Sequence, residues 1–408
     1  MILIKMKSAY NSIATLISKS LPAIGLFNKK VYSFVQERKT QIYPAGLSKP
    51  IWIHCASLGE FEQGRPVIES IKKTWPHQSI VLTFFSKSGF DIRKNYPLAD
   101  WVGYMPIDTA DEAKKFIRAI QPGLAIFVKY EYWYNHLDQL IQRSIPFIFI
   151  STVLHKDYFL LKSWNRWLFG KVLKASAIFV QDKASKKILD QYHYSHAFVT
   201  GDTRIDRVMD IVSNHQPVEY FDQIARRPRP VFIAGSTWPA DEFILKDFLK
   251  NLDEYDIIVV PHDPSPERIK ELGIVFEAYH PLRHSQWKGE PFRLMIVDSV
   301  GLLSRLYRYA QAAYIGGGFG KSIHNILEPA AYGIPVFFGP QHHKFKEAGD
   351  LIAIGSAFEV HSAIEMINVW NENIPQHLSL IKHKMLKYFN SNKGATAQII
   401  DYLRGIIA

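Results

Sequence analysis

The 408-residue chain has one cysteine, Cys55. No internal disulfide can form, which excludes a stapled secreted scaffold and fits a reducing compartment. Acidic side chains are also few: 38 Asp and Glu stand against 49 Lys and Arg, a formal net charge of +11. Such a balance favours phosphate-bearing partners, whether nucleic acid, nucleotides or an anionic membrane. The Lys/Arg stripe with interleaved aromatics that marks single-strand binders is missing, so no nucleic-acid partner is expected. Long apolar runs are missing too. The best candidate, "SAYNSIATLISKSLPAIGLF", is interrupted by Lys19 and Pro22, whereas a spanning helix needs about 20 apolar residues. No small-residue secretory cleavage site accompanies it. Short-period repeats and low-complexity tracts are absent.

What is present reads as globular: 47% of residues are apolar and 21% charged. The length suggests two domains. Residues 1–40 hold seven Lys/Arg and one Glu, so +6 of the +11 sits there. In that segment Tyr10, Ile13, Ala14, Ile17, Leu21 and Ile24 fall at helical spacing. With Lys5, Lys7, Lys29 and Lys30 flanking it, the pattern predicts an amphipathic helix lying on an anionic membrane. The alternative is an ordinary helix packed on the domain.

From residue 51 onward short apolar runs alternate with helical stretches. The expected strands are 51–54, 79–84, 101–104, 124–128, 147–150, 177–180 and 197–200, with helices such as 110–120 and 135–143 between them. Such strands imply a parallel sheet covered on both faces. The polar, Pro-rich "HQPVEYFDQIARRPRP" reads as a crossover between domains. A second series follows with strands at 231–234, 257–260, 294–297, 312–315 and 336–338, then helices near 362–370, 375–390 and 395–407. The expected class is α/β, with two Rossmann-like parallel-sheet domains facing across a cleft. The expected segments are a membrane-associated 1–40, domains 41–213 and 214–390, and a C-terminal helix 391–408. Ligands in such sheets sit beyond the carboxyl ends of the strands.

Six stretches carry chemistry at those ends. In "WIHCASLGEFEQGRPVIESI" a strand feeds a helix through Ser57-Leu58-Gly59-Glu60. Glu60 is either a helix-start acid stabilised by the dipole or a general base, and Gly59 and Gly64 leave room for close backbone approach. "KYEYWYN" puts Glu131 at the equivalent place, either as a second acid or as one paired to a neighbouring Lys or Arg. "VTGDTRIDRV" places Arg204 to reach the cleft, where a guanidinium suits a phosphate, unless Asp202 or Asp206 neutralises it. "IAGSTWPADE" offers backbone N–H groups to an anion. Its spacing matches neither a Walker loop nor the dinucleotide fingerprint, which discounts ATP hydrolysis and NAD. In "VVPHDPSPERI", His262 contacts a base, ribose or phosphate, or is a structural hydrogen-bonder; no HExxH or Cys/His spacing supports a metal. The most specific stretch is "YIGGGFGKSIHNILEPAAYGIPVFFGP", residues 314–340. Its Gly316, Gly317, Gly318 and Gly320 let backbone approach a ligand. Asn325 caps a helix whose N-terminus can hold a phosphate, and Glu328 can accept ribose hydroxyls. The whole pattern reads as the nucleotide-sugar half of a two-domain glycosyltransferase.

Together "HCASLGE", "EYWYN" and "HNILEPAAYGIPVFFGP" resemble the transferases of 3-deoxy-D-manno-octulosonic acid (Kdo), as an ordered series over roughly residues 30–400. The resemblance implies a GT-B fold and inverting transfer of Kdo from CMP-Kdo to a lipid A precursor in lipopolysaccharide synthesis. It implies no cofactor or metal, and a place at the cytoplasmic face of the bacterial inner membrane. It assigns Glu60 as proton acceptor and Glu131 and Arg204 as charge-stabilising positions. The implied CMP contacts are Pro261, His262, Val300, Gly301, Leu302, Asn325, Ile326, Leu327 and Glu328, with Gly317 and Gly318 in the glycine turn. This sequence departs from the family in carrying His262 where Arg is frequent, and in lacking an acid at Val300-Gly301-Leu302. The competing readings are another GT-B enzyme using or epimerising a UDP-sugar, and a non-catalytic nucleotide- or lipid-binding module on a membrane surface.

Overall fold

An apolar run with no polar alternation has to be buried on both faces, and every residue of Ile51–Cys55, Ile80–Phe84 and Leu124–Val128 is buried. The computed structural model describes residues 2–214, 218, 221–224 and 227–407. Two units result: Met1–Asp206 with Asn392–Ala408, and Arg207–Ser391. Parts of the crossover stretch, residues 215–217, 219–220 and 225–226, lie outside the described residues.

The first unit is built on a seven-stranded sheet of order β3-β2-β1-β4-β5-β6-β7. Its strands are β1 (Ile51–Cys55), β2 (Ile80–Phe84), β3 (Trp101–Tyr104), β4 (Leu124–Val128), β5 (Phe147–Thr152), β6 (Ala177–Val180) and β7 (Ala197–Val199). All pair in parallel, with Ile53 between Leu82 and Ile126 in the central register. On one face Trp52 meets Phe116 and Phe127 edge-on, at 5.2 and 5.0 Å. Full burial of each such side chain is worth roughly 1.5–3 kcal/mol. The other face packs on helix α3 (Leu58–Thr74), introduced after helices α1 (Ile2–Gly25) and α2 (Lys29–Thr40).

The second unit repeats the plan in the order β10-β11-β9-β8-β12-β13-β14. Its strands are β8 (Val231–Thr237), β9 (Asp256–Pro261), β10 (Leu282–Arg283), β11 (Leu294–Ile296), β12 (Ala312–Ile315), β13 (Val336–Phe338) and β14 (Ala357–Glu359). Again every pairing is parallel. The short edge strands β10 and β14 were not expected from the sequence, being two and three residues long. The break expected near residue 371 is absent. Helix Ala363–Asn392 runs continuously with Pro375 inside it, held by buried Met366, Trp370, Ile374, Ile381, Met385 and Phe389 along one stripe.

The C-terminal helix Ala395–Arg404 is part of the first unit rather than a separate element. Its Ile399, Ile400 and Leu403 are buried in that unit's core with Phe61, Val67 and Ile68 of α3. Asp206 fastens the join by accepting the N–H groups of Gly394 and Thr396, each at 2.6 Å.

The N-terminal segment divides in two. Helix α2 is bolted to the sheet. Arg38 donates to Met105 O at 3.2 Å, Phe34 O at 3.2 Å and Phe85 O at 2.5 Å. Burial lowers its guanidinium to about 10. Helix α1 packs one face through Tyr10, whose hydroxyl donates to Asp108 at 2.5 Å and whose ring meets Tyr134 and Trp167. Ile13, Leu16, Ile17 and Ile24 remain exposed on it, as do Leu26 and Phe27 beyond its end. Among the described residues no helix is long and apolar enough to cross a membrane.

Candidate active site

In a doubly wound parallel sheet the strand order reverses at one point, and the loops leaving the two strands there diverge to opposite faces. In the first unit this point lies between β1 and β4. Glu60, in the first turn of α3 after β1, and Glu131, just past β4, both stand there. Ser57 begins α3 but makes no capping bond to its backbone, because its hydroxyl donates to the Glu60 carboxylate instead. The buried Cys55 thiol is pushed up by burial first and then by the negative charges of Glu60 and Glu131. The Tyr130 phenol is raised by burial, Asp182 and Glu60. Both acids therefore act on the same carboxyl end of β1.

Glu131 is buried and, among the described residues, pairs no Lys or Arg. His54 Nε2 lies 3.1 Å from its Oε2, and Trp133 Nε1 donates to the same oxygen at 2.6 Å. Behind His54, fully buried in β1, Nδ1 is 2.9 Å from Thr83 Oγ1, which accepts Trp52 Nε1–H at 2.8 Å. That leaves the threonine proton for His54 Nδ1, and His54 donates from Nε2 to the carboxylate. A chain of buried donors thus fixes Glu131 in place.

Arg204 does not extend freely from the rim. Its Nε lies 3.2 and 3.0 Å from the two carboxylate oxygens of Asp202, and Nη2 is 2.5 Å from Oδ2. Burial would raise Asp202, but Arg204 and Lys129 outweigh it and hold the carboxyl below its usual range. Gln63 of α3 donates to the same carboxylate at 3.4 Å. Gly64, expected to leave room for a ligand, faces the core. A Cβ there would sit 3.1 Å from Cys55 Sγ and from Val128.

In the second unit the order reverses between β8 and β12. The glycine turn after β12 is needed for backbone-to-backbone packing within the protein, not for a ligand alone. A Cβ on Gly316 would lie 2.2 Å from Ser236 O, and Gly317, at φ +92°, 2.3 Å from Ser322 O. Asp241 ties the two turns together. Its carboxylate accepts Gly317 N–H and Trp238 N–H at 2.9 Å each, and the Tyr314 hydroxyl at 2.8 Å. Burial raises Asp241 and outweighs these bonds. Beside it, buried Glu242 binds Thr237 at 2.8 Å and Arg268.

On this rim Trp238, His262 and His324 form one stack. Ring centroids are 4.6 Å apart for Trp238 and His262 and 4.4 Å for His262 and His324, with planes within 24° and 22°. Trp238 Nε1 donates to His324 Nε2 at 3.0 Å. Burial, then the neighbouring His262, lower His324 to about 4; desolvation also lowers His262. The stack is a neutral aromatic face suited to a flat ring.

The other expected donor contacts sit on the same rim. Pro261 ends β9, while Val300 is exposed, Gly301 has φ +87° and Leu302 opens a short helix. Ile326 and Leu327 have fully buried side chains, so they can present only backbone outward. Asn325 accepts Leu327 N–H at 3.2 Å and donates to Glu328 at 3.1 Å. The helix it opens, Leu327–Ala331, is only five residues long, so its dipole is smaller than the sequence reading assumed. Among the described residues no three His, Cys, Asp or Glu converge as a metal site. Sequence reasoning passed over His54, Trp238, Asp241 and His324 as site residues. Each lay inside a quoted stretch, but a lone His or Trp signals nothing until neighbouring strand ends bring it to its partner.

Residues 29–207 match the family described as 3-deoxy-D-manno-octulosonic-acid transferase (kdotransferase). The 3-deoxy-D-manno-octulosonic acid transferase of Haemophilus influenzae is 27% identical over 376 residues, 87% of this chain and 86% of that protein. Its namesake from Rickettsia prowazekii is 24% identical over 412 residues, covering 95% and 88%. Among solved structures, a UDP-GlcNAc 2-epimerase from Neisseria meningitidis superposes with a TM-score of 0.60 over 87% of this chain and 100% of its own, at 13% identity. That likeness concerns the fold alone and agrees with the GT-B class. The resemblance read from the motifs is therefore borne out: residues 29–207 match the Kdo transferase family model, and most of the chain aligns with transferases of that name.

Proposed function

We propose that this protein transfers Kdo from CMP-Kdo to a phosphorylated lipid A precursor, with inversion, by direct displacement and without a metal. The observation that carries the reading is the pairing of Glu60 and Glu131 at the first sheet's reversal point, with Glu131 immobilised by His54 and Trp133. Glu60 takes the proton of an acceptor hydroxyl as its oxygen bonds to the anomeric carbon of Kdo. The bond from that carbon to the CMP phosphate oxygen breaks, and the electron pair leaves with CMP. Glu131 faces the positive charge that develops on the sugar. Asp202 sets the orientation of Arg204 for stabilising the leaving phosphate. A monophosphate leaving group gathers less charge than a diphosphate, so side chains suffice to balance it. Trp238, His262 and His324 offer the cytosine a neutral face.

Two features of the first unit support an amphiphilic acceptor. A groove of about 560 Å³ runs along α2, lined by Phe34 and Tyr104 with Lys29, Lys30 and Lys87 on its walls. Phe34 meets Phe85 at 5.6 Å, and Phe85 meets Trp133, the partner of Glu131, at 4.8 Å. Packed rings thus connect the groove wall to the partner of Glu131. The exposed Ile24, Leu26 and Phe27 beside Lys29 and Lys30 favour attachment to an anionic membrane surface, which on this reading is the cytoplasmic face of the inner membrane.

The test is Glu60→Gln assayed with CMP-Kdo and a tetra-acylated lipid A precursor, with product mass as readout. Transfer should fall by about 10²–10⁴-fold while CMP still binds. Near wild-type turnover removes Glu60 from the role of base. Inhibition by UDP but not CMP would refute the donor assignment.

A further inference from the structure

The second unit contains a cavity of about 440 Å³ that the transfer reaction does not use. Gln311, which precedes β12, and Pro335, which precedes β13, lie in its lining. It therefore sits at the amino ends of the strands, the opposite end of the sheet from the stacked rings and the glycine turn. Arg305, Arg308 and Lys382 project into it, and among the described residues no Asp or Glu lines it. Arg305 and Arg308 are half-buried, three positions apart on consecutive short helical turns, and so on one face. Among the described residues none of the three cations forms an ion pair. The charge of Arg308 is felt by Tyr332, whose phenol is raised by burial, pulled back by that guanidinium and raised again by the Glu328 carboxylate.

Holding two guanidinium groups on one face, partly out of water and with no carboxylate in contact among the described residues, is unfavourable for the protein alone. An anion from solution relieves it. Arginine forks match the tetrahedral oxygens of a phosphoryl group. Besides Lys382, the rest of the lining includes apolar Val212, Ile334 and Leu378; Gln311 and Tyr332 are already bonded to Val231 N–H and Ser304 O, which leaves Asn214 as the further polar side chain. The volume falls within the roughly 300–1,000 Å³ of small-molecule sites. We propose that this cavity is a second ligand site for a phosphate monoester with an apolar tail, the phosphate on Arg305 and Arg308 and the tail against the apolar wall. The site stands independently of the transferase reading.

The test is calorimetric titration of the full chain with n-octyl phosphate below its micelle concentration, with CMP present throughout to fill the nucleotide site. One equivalent should bind. Arg305→Gln/Arg308→Gln should weaken binding by at least tenfold, leaving CMP affinity unchanged. Leu378→Trp, which fills the cavity from the other wall and keeps both arginines, should weaken it similarly and serves if the double variant fails to fold. Inorganic phosphate and glucose 6-phosphate should bind more weakly than octyl phosphate, and n-octanol not at all. Absence of saturable binding, or an affinity indifferent to both variants, overturns the site. Equal affinity for glucose 6-phosphate overturns the apolar half of the proposal.

Discussion

Acidification should open the aromatic stack before it touches the rest of the second unit. His324 Nε2 accepts a hydrogen bond from Trp238 Nε1. Protonating that nitrogen sets two N–H groups against each other and places a cation under His262. The imidazole accordingly has its pKa lowered from 6.5 to about 4 by burial and by His262. Above 6.5 the ring is neutral in folded and unfolded chains alike, and below 4 it is charged in both. Between those values only the unfolded chain holds the proton, so stability rises with pH across the window and is lost as pH falls through it. A shift of that size is worth up to about 3 kcal/mol, less whatever the stack recovers by swinging Trp238 into solvent. The perturbation is pH 8 to 4 on the wild type and on His324→Gln, which keeps an acceptor for Trp238 but cannot gain a charge. Histidine Cε1 signals in a carbon–proton correlation spectrum report titration directly, and the signal missing from the variant identifies His324. It should titrate near 4, and CMP affinity should fall more through that titration in the wild type than in the variant. A His324 signal titrating near 6.5, or equal pH dependence of CMP binding in the two proteins, refutes the reasoning.

Gly316→Ala drives a methyl to within 2.2 Å of Ser236 O, and backbone cannot swing aside. The thermal midpoint should fall by the equivalent of about 1–3 kcal/mol, and CMP binding should weaken, both readable in one thermal-shift series with nucleotide. His54→Phe leaves Glu131 without its buried ring donor. Turnover should drop about tenfold with CMP affinity unchanged, and His54→Gln should recover part of it; equal turnover in all three proteins dismisses the relay. Arg38→Met strips donors from the carbonyls of Phe34, Phe85 and Met105. It should cost about 2–4 kcal/mol and expose α2 to limited proteolysis, with cleavage mapped by mass.

The strands at 101–104, 124–128, 177–180, 312–315 and 336–338 were legible to the residue, because a strand buried on both faces must be written in apolar letters. β14 was not, since three residues at a sheet edge carry too little pattern. Two helices were expected, near 362–370 and 375–390, yet one helix passes through Pro375. The packing of Ile374 and Ile381 outweighs the lost backbone bond. Glu60 and Glu131 were legible as strand-end acids. The partners of Glu131 were not, because Thr83 and His54 lie on neighbouring strands and Trp133 turns back only in the folded loop. The glycines of the 316–318 turn were legible as points of close backbone approach, but not that Ser236, Ser322 and Gly339 occupy the space a Cβ would need.

The first unit is not one stretch of chain. Residues 207–391 are spliced into it, and Ile399, Ile400 and Leu403 complete its interior. A ribosome making this protein must therefore finish the second unit while the first still shows a bare hydrophobic socket against α3. Expressing residues 1–206 and 207–391 as separate chains should yield an aggregating N-terminal fragment and a soluble second unit. Adding residues 392–408 back as a separate peptide should rescue the fragment.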